Sequence, residues 1–578
     1  MARFKAQELA NVAWAFATAN LDEPELFRAL AASATPRLHV FSAQELANTA
    51  WAFAKRLGAS VGDRPSDGEH ECYAEARLMF GALCEEASKR FGATEDGFKP
   101  QELANVVWAM ATAGVPGTEA FWDGAAVEAA RITRDARATQ PQNLANLAWA
   151  YAKSGRGSRE AVDALFSNLA VTAARRVDEF NAQELGNTAW AYATADRPAP
   201  DLFDAIAASA VPRVDRFIAQ NLANTVWAYA TAGHEAPRLF GAVRGEVATR
   251  ADEFKPQELA NTAWAFATAQ KQGGDSGRDR ALFDALAASA APRLRDFNNQ
   301  GLSNLAWAYA TAGAASGNEA LFDAIGHQVT LRVHEFRPQG LANLVWAFAT
   351  AELRAPRVFD AVADEVALPT SRSTTKLVSR RALEFNPQEI SNTAWAFAKA
   401  AYAAPPLFDA LAAAILRLGA RHGGDLVAAG FTPQELANLA WAYACADHAD
   451  LQPLVMLWRS IVDVAKESTD PGSLDDSNFA LEELRQLQQV VLHAKYGARQ
   501  KGPTMGGLVA DIARAPPAFV GLLRESLADV DASPSRAAHD TTRAIRRRFN
   551  MTVLEASTES HRGSTLGLRP GRRPLVHT

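Results

Sequence analysis

The chain opens with a segment whose apolar and polar residues separate onto two faces of a helix that turns 100° per residue. The apolar face collects Leu9, Val12, Ala13 and Phe16. The roughly opposite face collects Gln7, Asn11, Trp14 and Thr18. Because the second face combines amides with an indole, we expect this helix to make contacts on both sides, with its apolar face packed on a second helix.

The same segment occurs eleven times before residue 450, with small changes. Its tryptophan accounts for eleven of the thirteen in the chain, at Trp14, Trp51, Trp108, Trp149, Trp190, Trp227, Trp264, Trp307, Trp346, Trp395 and Trp441. The shortest spacing is 37 residues, and longer spacings indicate loop insertions. A fixed period of this kind is typical of stacked repeats. We predict an all-α fold, an α-solenoid (right-handed-type superhelix) of about eleven two-helix repeats.

Local chemistry marks the ends of the first helix in each unit. Ser42 can cap a helix, and Glu45 three residues later completes a capping box. The same pattern occurs at Asn386 and Thr432, each followed by a proline at the first helical position. Thr-Ala-Gly segments predict helix ends at Gly114, Gly233 and Gly313, because glycine adopts the left-handed conformation at little cost.

The sequence divides into three regions. Residues 1–450 hold the eleven-unit array, residues 451–530 predict a helical C-terminal cap without the tryptophan motif, and residues 531–578 form a basic tail. Within the array, the segments 57–71, 270–281 and 367–381 are rich in Gly, Ser, Asp and Arg, which predicts surface loops.

Charge is distributed unevenly along the chain. The net charge is −6, but residues 533–578 carry nine Lys/Arg and three Asp/Glu, a net +6 that leaves −12 for the remainder. Arg546, Arg547 and Arg548 are the densest basic cluster of the tail. One interpretation is a solvated basic end, which we favour; the other is a module that contacts phosphates.

No grouping of residues predicts catalysis, a metal site or a cofactor. The glycines between Gly497 and Gly507 lack the order of a phosphate-binding loop and indicate a flexible connector. His70, Glu71 and Cys72 have no second histidine at helical spacing, which favours a polar loop. Three cysteines form no disulfide framework and are interpreted as packed thiols. We therefore expect a protein that is not an enzyme.

The recurring polar face is the candidate binding surface. We favour packing between repeats for the tryptophans, because eleven exposed indoles would promote aggregation; stacking on bases is the alternative. For the asparagines, a structural ladder and a contact to ligand are equally compatible with the amide. The candidate RNA-contacting residues are Asn11, Asn48, Asn105, Asn146, Asn187, Asn224, Asn261, Asn304, Asn343, Asn392, Asn438, Lys55, Lys153, Lys399, Arg546, Arg547 and Arg548.

Because glutamine, asparagine and tryptophan are the same in every repeat, only variable positions can distinguish one base from another. The residue after the asparagine alternates among Val, Thr and Leu, and we expect it at the margin of the core. The residue after the glutamine is Glu, Asn or Gly, and the Thr18 position is Thr, Lys or Cys. At one nucleotide per repeat, the chain would span about eleven nucleotides with weak selectivity.

The motif Phe-x-Pro-Gln-Glu-Leu-Ala-Asn-x-x-Trp-Ala-Phe/Tyr-Ala, over residues 4–447, resembles the octotricopeptide repeats of algal organellar proteins. It is also similar to the helical repeats of the FAST-kinase-like family and of the RNA-editing substrate-binding complex. Many such proteins end in a RAP domain, and the stretch from Ser533 to Glu555 is similar to its opening, whereas later segments are missing. The resemblance implies RNA binding by the array and a truncated or degenerate RAP-like tail without nuclease or kinase activity.

The resemblance further implies a role in chloroplast or mitochondrial RNA metabolism: transcript stability, processing or translation. Expected partners are single-stranded organellar RNA and proteins of a ribonucleoprotein complex, with no membrane insertion and no small-molecule substrate. The acidic body favours an alternative, a protein–protein interaction scaffold without direct RNA contact. The first repeat leaves no room for a transit peptide, so we expect either a cytosolic chain or, preferentially, a start that is not the natural one; an incomplete gene model is a third hypothesis.

Overall fold

The structure is a computed structural model of the chain. It describes residues 3–21, 23–59, 69–93, 95–114, 117–134, 139–273, 279–368, 381–446, 452–467, 478–501 and 506–528. Over these ranges the chain forms 25 α-helices and no β-strand, which confirms the predicted all-α fold.

The tryptophan motif forms the first helix of every repeat. These first helices are α1 (Ala6–Thr18), α3 (Ala43–Ala59), α5 (Pro100–Ala113), α7 (Pro141–Ser154), α9 (Ala182–Thr194), α11 (Ala219–Ala232), α13 (Pro256–Lys271), α15 (Asn299–Thr311), α17 (Pro338–Thr350), α19 (Pro387–Lys399) and α21 (Pro433–Ala446). The predicted helix boundaries are confirmed. The Glu45 backbone N–H donates to Ser42 Oγ while Glu45 Oε2 accepts from the Ser42 N–H, and Gly114, Gly233 and Gly313 have φ of 63–65°.

A second helix follows each of them. The second helices are α2 (Pro24–Ala34), α4 (Glu69–Ser88), α6 (Glu119–Ile132), α8 (Arg159–Ala174), α10 (Pro200–Ala210), α12 (Pro237–Arg250), α14 (Arg280–Ala290), α16 (Glu319–Arg332), α18 (Pro356–Ala367), α20 (Pro405–Arg421) and α22 (Gln452–Lys466). The chain continues with α23 (Leu481–Lys501), α24 (Gly506–Ala513) and α25 (Pro517–Ala528). Short 3-10 helices connect seven of the described pairs to the next unit.

Tertiary contacts group the chain into two compact units, residues 1–301 and residues 302–578. In the first unit, the first helices α1 to α13 pack side by side in chain order, and the second helices α2 to α14 form a parallel layer. In the second unit, α17, α19, α21 and α23 continue in the same way. Each unit is therefore an α-solenoid, in which every repeat packs on its sequence neighbours.

Aromatic residues form the core between the two layers. In several repeats a tyrosine of the first helix donates its hydroxyl to a carbonyl of the preceding second helix: Tyr151 to Trp122 O at 2.8 Å, Tyr192 to Phe166 O at 2.7 Å and Tyr443 to Phe408 O at 3.0 Å. The ring of Tyr192 meets that of Phe166 edge-on at 5.0 Å. Burial raises the pKa of Tyr192, so this hydroxyl remains a donor at neutral pH.

Arginines close the other end of several repeats. Each lies at or after the end of a second helix and donates to the carbonyl of the residue that starts the same repeat, usually phenylalanine. These arginine clamps join Arg37 to Phe4 O at 2.9 Å, Arg250 to Phe217 O at 3.1 Å, Arg293 to Phe254 O at 2.9 Å and Arg381 to Phe336 O. Their guanidinium groups therefore serve the architecture, since they satisfy backbone oxygens at the point where the chain re-enters the stack.

Three expectations about local structure are wrong. His70 and Glu71 lie in α4 rather than in a polar loop, and Lys501 ends α23 rather than lying in a connector. Residues 57–59 belong to α3, so the predicted loop at 57–71 is shorter than expected, and its centre lies outside the described residues.

The thiols of Cys84 and Cys445 are buried, as predicted. Burial raises the pKa of Cys84 to about 12, which makes it unreactive as a nucleophile. The Cys72 side chain lies outside the described part of the structure.

Candidate functional site

The first helices present a uniform stripe on the side away from the second helices. We define the first-helix stripe as Gln7, Asn11, Trp14 and Thr18 together with their equivalents in the other ten repeats. All eleven glutamines are exposed. Ten of the eleven asparagines are half-buried, and Asn11 of the terminal repeat is exposed. The stripe therefore lies at the surface, because the spacing i, i+4, i+7, i+11 keeps one side of each helix outward.

Several tryptophans of the stripe form ladders in which an indole contacts the indole of the next repeat. In the first unit, the ring centroids from Trp108 through Trp149, Trp190 and Trp227 to Trp264 are 6.2–6.4 Å apart, with interplanar angles of 29–35°. Trp14 and Trp51 are paired at 6.5 Å, and in the second unit Trp307 and Trp346 are paired at 6.3 Å. Contact between repeats is confirmed for these indoles, but their outer edges still reach solvent.

Three repeats place a lysine on the indole face. The Nζ atoms of Lys55, Lys153 and Lys399 lie 5.1, 4.6 and 5.4 Å from the ring centroids of Trp51, Trp149 and Trp395. These are cation–π contacts within the usual ~6 Å. Desolvation lowers the pKa of Lys153. The sequence candidates at the lysine position therefore lie against the tryptophans of their own repeats.

The stripe asparagines make no side-chain hydrogen bond to another described residue. Among the hydrogen bonds of the described residues, none comes from the side chain of a stripe asparagine. Asparagines elsewhere do find partners: Asn168 Nδ2 of α8 donates to Ala130 O at 2.8 Å, and Asn478 Nδ2 donates to Val464 O at 2.9 Å. The described residues therefore contain no ladder of these amides to neighbouring backbone, and the amide donors and acceptors have no partner among them.

Further polar groups of the stripe lack partners as well. Buried threonine hydroxyls at the Thr18 position have no hydrogen-bond partner among the described residues at Thr112, Thr268, Thr311 and Thr350. Native proteins satisfy most buried polar groups, so a row of unsatisfied ones is a feature that requires an explanation.

The expectation that the residue after each asparagine lies at the margin of the core is wrong. In ten of the eleven repeats this residue is fully buried, with 0–2% exposure for Thr49, Val106, Leu147, Thr188, Thr225, Thr262, Leu305, Leu344, Thr393 and Leu439. First helices cover it from both sides, which a single helix cannot reveal. This position therefore cannot contact a ligand.

The residue after the glutamine is also engaged. Where it is glutamate, its carboxylate accepts the backbone N–H three residues earlier, as in Glu184 to Asn181 at 2.8 Å and Glu435 to Thr432 at 2.8 Å. Burial raises the pKa of Glu389. Of the three variable positions identified in the sequence, only the Thr18 position therefore remains as a candidate contact to ligand on the stripe.

A twelfth, degenerate helix pair was missed by the sequence reasoning. Helix α23 packs on α21 as a first helix would, and Trp441 Nε1 donates to Gln489 Oε1 at 2.7 Å, 48 residues away. Gln489 stands where a twelfth tryptophan would be, and it leaves Trp441 only 2% exposed. The sequence signals that could have revealed this helix pair are Phe479 and Glu483, which have the same spacing as the phenylalanine and glutamate of the repeat motif. Glu483 accepts the Ala480 N–H at 2.9 Å, as the motif glutamates do. Helix α25 then packs on α23 and covers it.

The basic cluster Arg546, Arg547 and Arg548 and the RAP-like tail lie outside the described residues. Among the helices that are described, none is both long and apolar enough to span a membrane. In the same ranges, no three His, Cys, Asp or Glu side chains converge as metal ligands would.

The fold and the stripe define a helical-repeat protein with a surface that is the same in every unit. Residues 71–275, from α4 to α13, match the family model of the RNA-editing substrate-binding complex 6 protein. Residues 375–393 match a second model, described as a protein of unknown function (DUF1601). No curated protein matches the chain.

Two structures illustrate the solved proteins with which the chain aligns. One is a homology model of the full-length AP-3 complex in an intermediate open conformation, with 11% identity, 95% of this chain and 93% of that chain covered and a TM-score of 0.25. The other is a circular tandem repeat protein with novel repeat topology and enhanced subunit contact surfaces, with 12% identity, 97% and 98% coverage and a TM-score of 0.14. TM-scores this low carry no information about function.

Proposed function

We propose that this chain binds single-stranded RNA along the first-helix stripe and acts in post-transcriptional RNA metabolism in an organelle, in transcript stability, processing or translation. The observation that carries the proposal is a row of asparagine amides with no hydrogen-bond partner among the described residues, beside a tryptophan ladder. Amides can donate to and accept from base edges, and aromatic rings can stack on bases. The match to a family named for an RNA-editing substrate-binding complex supports the same class of ligand.

The uniformity of the stripe supports sequence-tolerant binding. Glutamine, asparagine and tryptophan do not change from repeat to repeat, and the variable position beside asparagine is buried. A surface that repeats identically can contact only what every nucleotide shares, or one base repeated along a homopolymer. The three lysines on indoles place positive charge next to stacked bases. Binding rather than catalysis is thus the proposed activity, in mitochondria or chloroplasts.

The proposal is tested by titrating the full chain against a labelled single-stranded RNA of about a dozen nucleotides at low salt. Replacing Asn187 and Asn224 by alanine removes two open amides, and we expect each to cost about 0.5–1.5 kcal/mol of binding free energy. Asn168→Ala is the matched control: it removes an amide that is bonded to Ala130 O, so it should lower local stability and leave RNA affinity unchanged.

An absence of RNA binding at micromolar protein would contradict the proposed function. Binding that persists unchanged in the Asn187 and Asn224 variant would place the site away from the stripe. The scaffold alternative is favoured by the net −12 of residues 1–532 and by the arginines engaged in clamps. It expects a peptide ligand whose affinity changes little with salt, whereas RNA affinity falls steeply.

A further inference from the structure

One row of exposed residues borders the stripe and was not considered from sequence. It consists of the residue that follows each repeat phenylalanine, or Thr139 in the fourth repeat, and immediately precedes the first helix. We call it the pre-helix row: Lys5, Ser42, Lys99, Gln140, Asn181, Ile218, Lys255, Asn298, Arg337, Asn386 and Thr432. All eleven are exposed, and unlike the glutamines and asparagines they differ from repeat to repeat.

Four members of this row are cations, Lys5, Lys99, Lys255 and Arg337. None of the four makes an ion pair with another described residue. The nearest motif carboxylates are engaged elsewhere: Glu8, Glu102 and Glu258 accept the backbone N–H groups of Lys5, Lys99 and Lys255 at 2.8–2.9 Å. These four side chains differ in this from the arginine clamps, whose guanidinium groups are bonded to carbonyl oxygens.

The row lies at a distance from the asparagines that suits a nucleotide. Six residues separate the two positions, which is about 9 Å along a helix at 1.5 Å per residue. On the C-terminal side of the asparagines, Lys55, Lys153 and Lys399 lie on the indole rings of their own repeats. A base at the tryptophan and asparagine positions would therefore meet the lysines directly, while its phosphate could extend to the pre-helix row.

The two sets of cations never occur in the same repeat. Repeats 1, 3, 7 and 9 carry a pre-helix cation and have threonine at the Thr18 position, whereas repeats 2, 4 and 10 carry the lysine and have Ser42, Gln140 or Asn386 before the helix. The sets can therefore be removed separately, repeat by repeat.

We propose that Lys5, Lys99 and Lys255 of the first unit and Arg337 of the second contact RNA phosphates, so that within each unit the sugar–phosphate backbone runs along the pre-helix side of the stripe and the bases point toward the tryptophans. This proposal rests on the proposed function and adds an orientation of the strand across the first helices. It also identifies which cations set the salt dependence of binding.

The test compares salt slopes in the full chain. Lys5→Asn, Lys99→Asn, Lys255→Asn and Arg337→Asn are combined, because the chain itself uses asparagine at this position in Asn181, Asn298 and Asn386. Asparagine is a preferred N-cap residue, so the thermal midpoint should be equal or higher. Each lost phosphate contact reduces the slope of log K against log salt by about 0.7, so we expect a reduction of about 3 for the four.

Two further variants make the test specific. Lys55→Thr, Lys153→Thr and Lys399→Thr, combined, introduce the residue that most other repeats carry. Because these lysines lie beside the bases, RNA affinity should fall, whereas the slope should stay within about 0.7 of the wild type. Ile218→Lys adds a cation to an exposed position of the row and should steepen the slope by about 0.7.

The outcomes separate this proposal from the proposed function. No RNA binding by the wild type defeats the proposed function. If the variant with four asparagines binds RNA with an unchanged slope of log K against log salt, only the proposed orientation is overturned. If the slope is instead reduced in the variant with three threonines, the phosphates lie on the indole side.

Discussion

Several repeats contain two polar layers that use similar residues in opposite ways. Between the helices, Tyr192 and Arg250 donate to backbone carbonyls, so their polar atoms are satisfied within the protein. On the first-helix stripe, the Asn224 amide has no partner among the residues that the structure describes, and Trp227 is only half-buried. Because both layers recur with the same period, repetition alone does not show which one is functional. The distinction lies in whether the polar atoms are satisfied: satisfied groups hold the stack together, and open ones are available to a ligand.

The strongest separation of the two layers should come from their aromatic residues. Phe203 is 2% exposed and meets the Tyr229 ring edge-on at 4.9 Å. Phe203→Ala should cost about 3–5 kcal/mol of local stability, because it leaves a cavity. Trp227→Ala removes a half-buried ring that lies between Trp190 and Trp264, so it should cost less stability but about 1–3 kcal/mol of RNA binding.

Hydrogen exchange of α10 and α11 measures the stability part of this comparison, since repeat arrays open locally. Titration of the two variants with RNA measures the loss of binding free energy. Equal loss of RNA affinity in the two variants, after correction for unfolded protein, would mean that the tryptophan ladder is structural only.

A smaller effect is expected from the arginine clamps. Arg250 donates to Phe217 O and pairs with Glu246 and Glu253 at 3.0 and 2.9 Å. Arg250→Ala should lower the stability of its repeat by about 1.5–3 kcal/mol, since it removes a charge-assisted bond and leaves a carbonyl unpaired. Arg295, whose side chain is 82% exposed, is the control, and Arg295→Ala should stay within about 0.5 kcal/mol.

Chemical denaturation, combined with amide hydrogen exchange in α12, would measure the difference in stability between Arg250→Ala and Arg295→Ala. If Arg250→Ala also weakened RNA binding at full folding, the clamp could not be assigned to the structural layer alone. The pre-helix cations should behave in the opposite way, with altered salt dependence and no loss of stability.

Much of the architecture could be predicted from sequence because helix signals are local. The Ser42 and Glu45 capping box and the left-handed Gly233 depend only on residues within one turn, and the structure has both. The repeat period predicted the stack for the same reason, since a helix pair must bury its apolar face against its neighbours.

The candidate site could be predicted only in part, because burial depends on neighbours. A helical wheel placed Thr225 at the edge of the core, but adjacent first helices cover it completely. The twelfth pair was missed because Gln489 replaces the tryptophan on which the count depended. The pre-helix row has no motif, since its residues vary, and only its exposure reveals it.

The smallest expected effect concerns the tyrosine hydroxyls of the structural layer. Tyr192→Phe removes the bond to Phe166 O. The chain already has phenylalanine at this position in Phe53, Phe266, Phe348 and Phe397, where the rings keep the same edge-on contacts at 4.9–5.2 Å. The new ring should therefore fit without strain, and the cost should be that of one buried hydrogen bond, about 0.5–1.5 kcal/mol. Exchange rates in α8 and α9 would measure it, and RNA affinity should not change. A loss of RNA affinity in Tyr192→Phe would show that a change in the polar layer between the helices affects RNA binding at the stripe. The two polar layers would then not act independently.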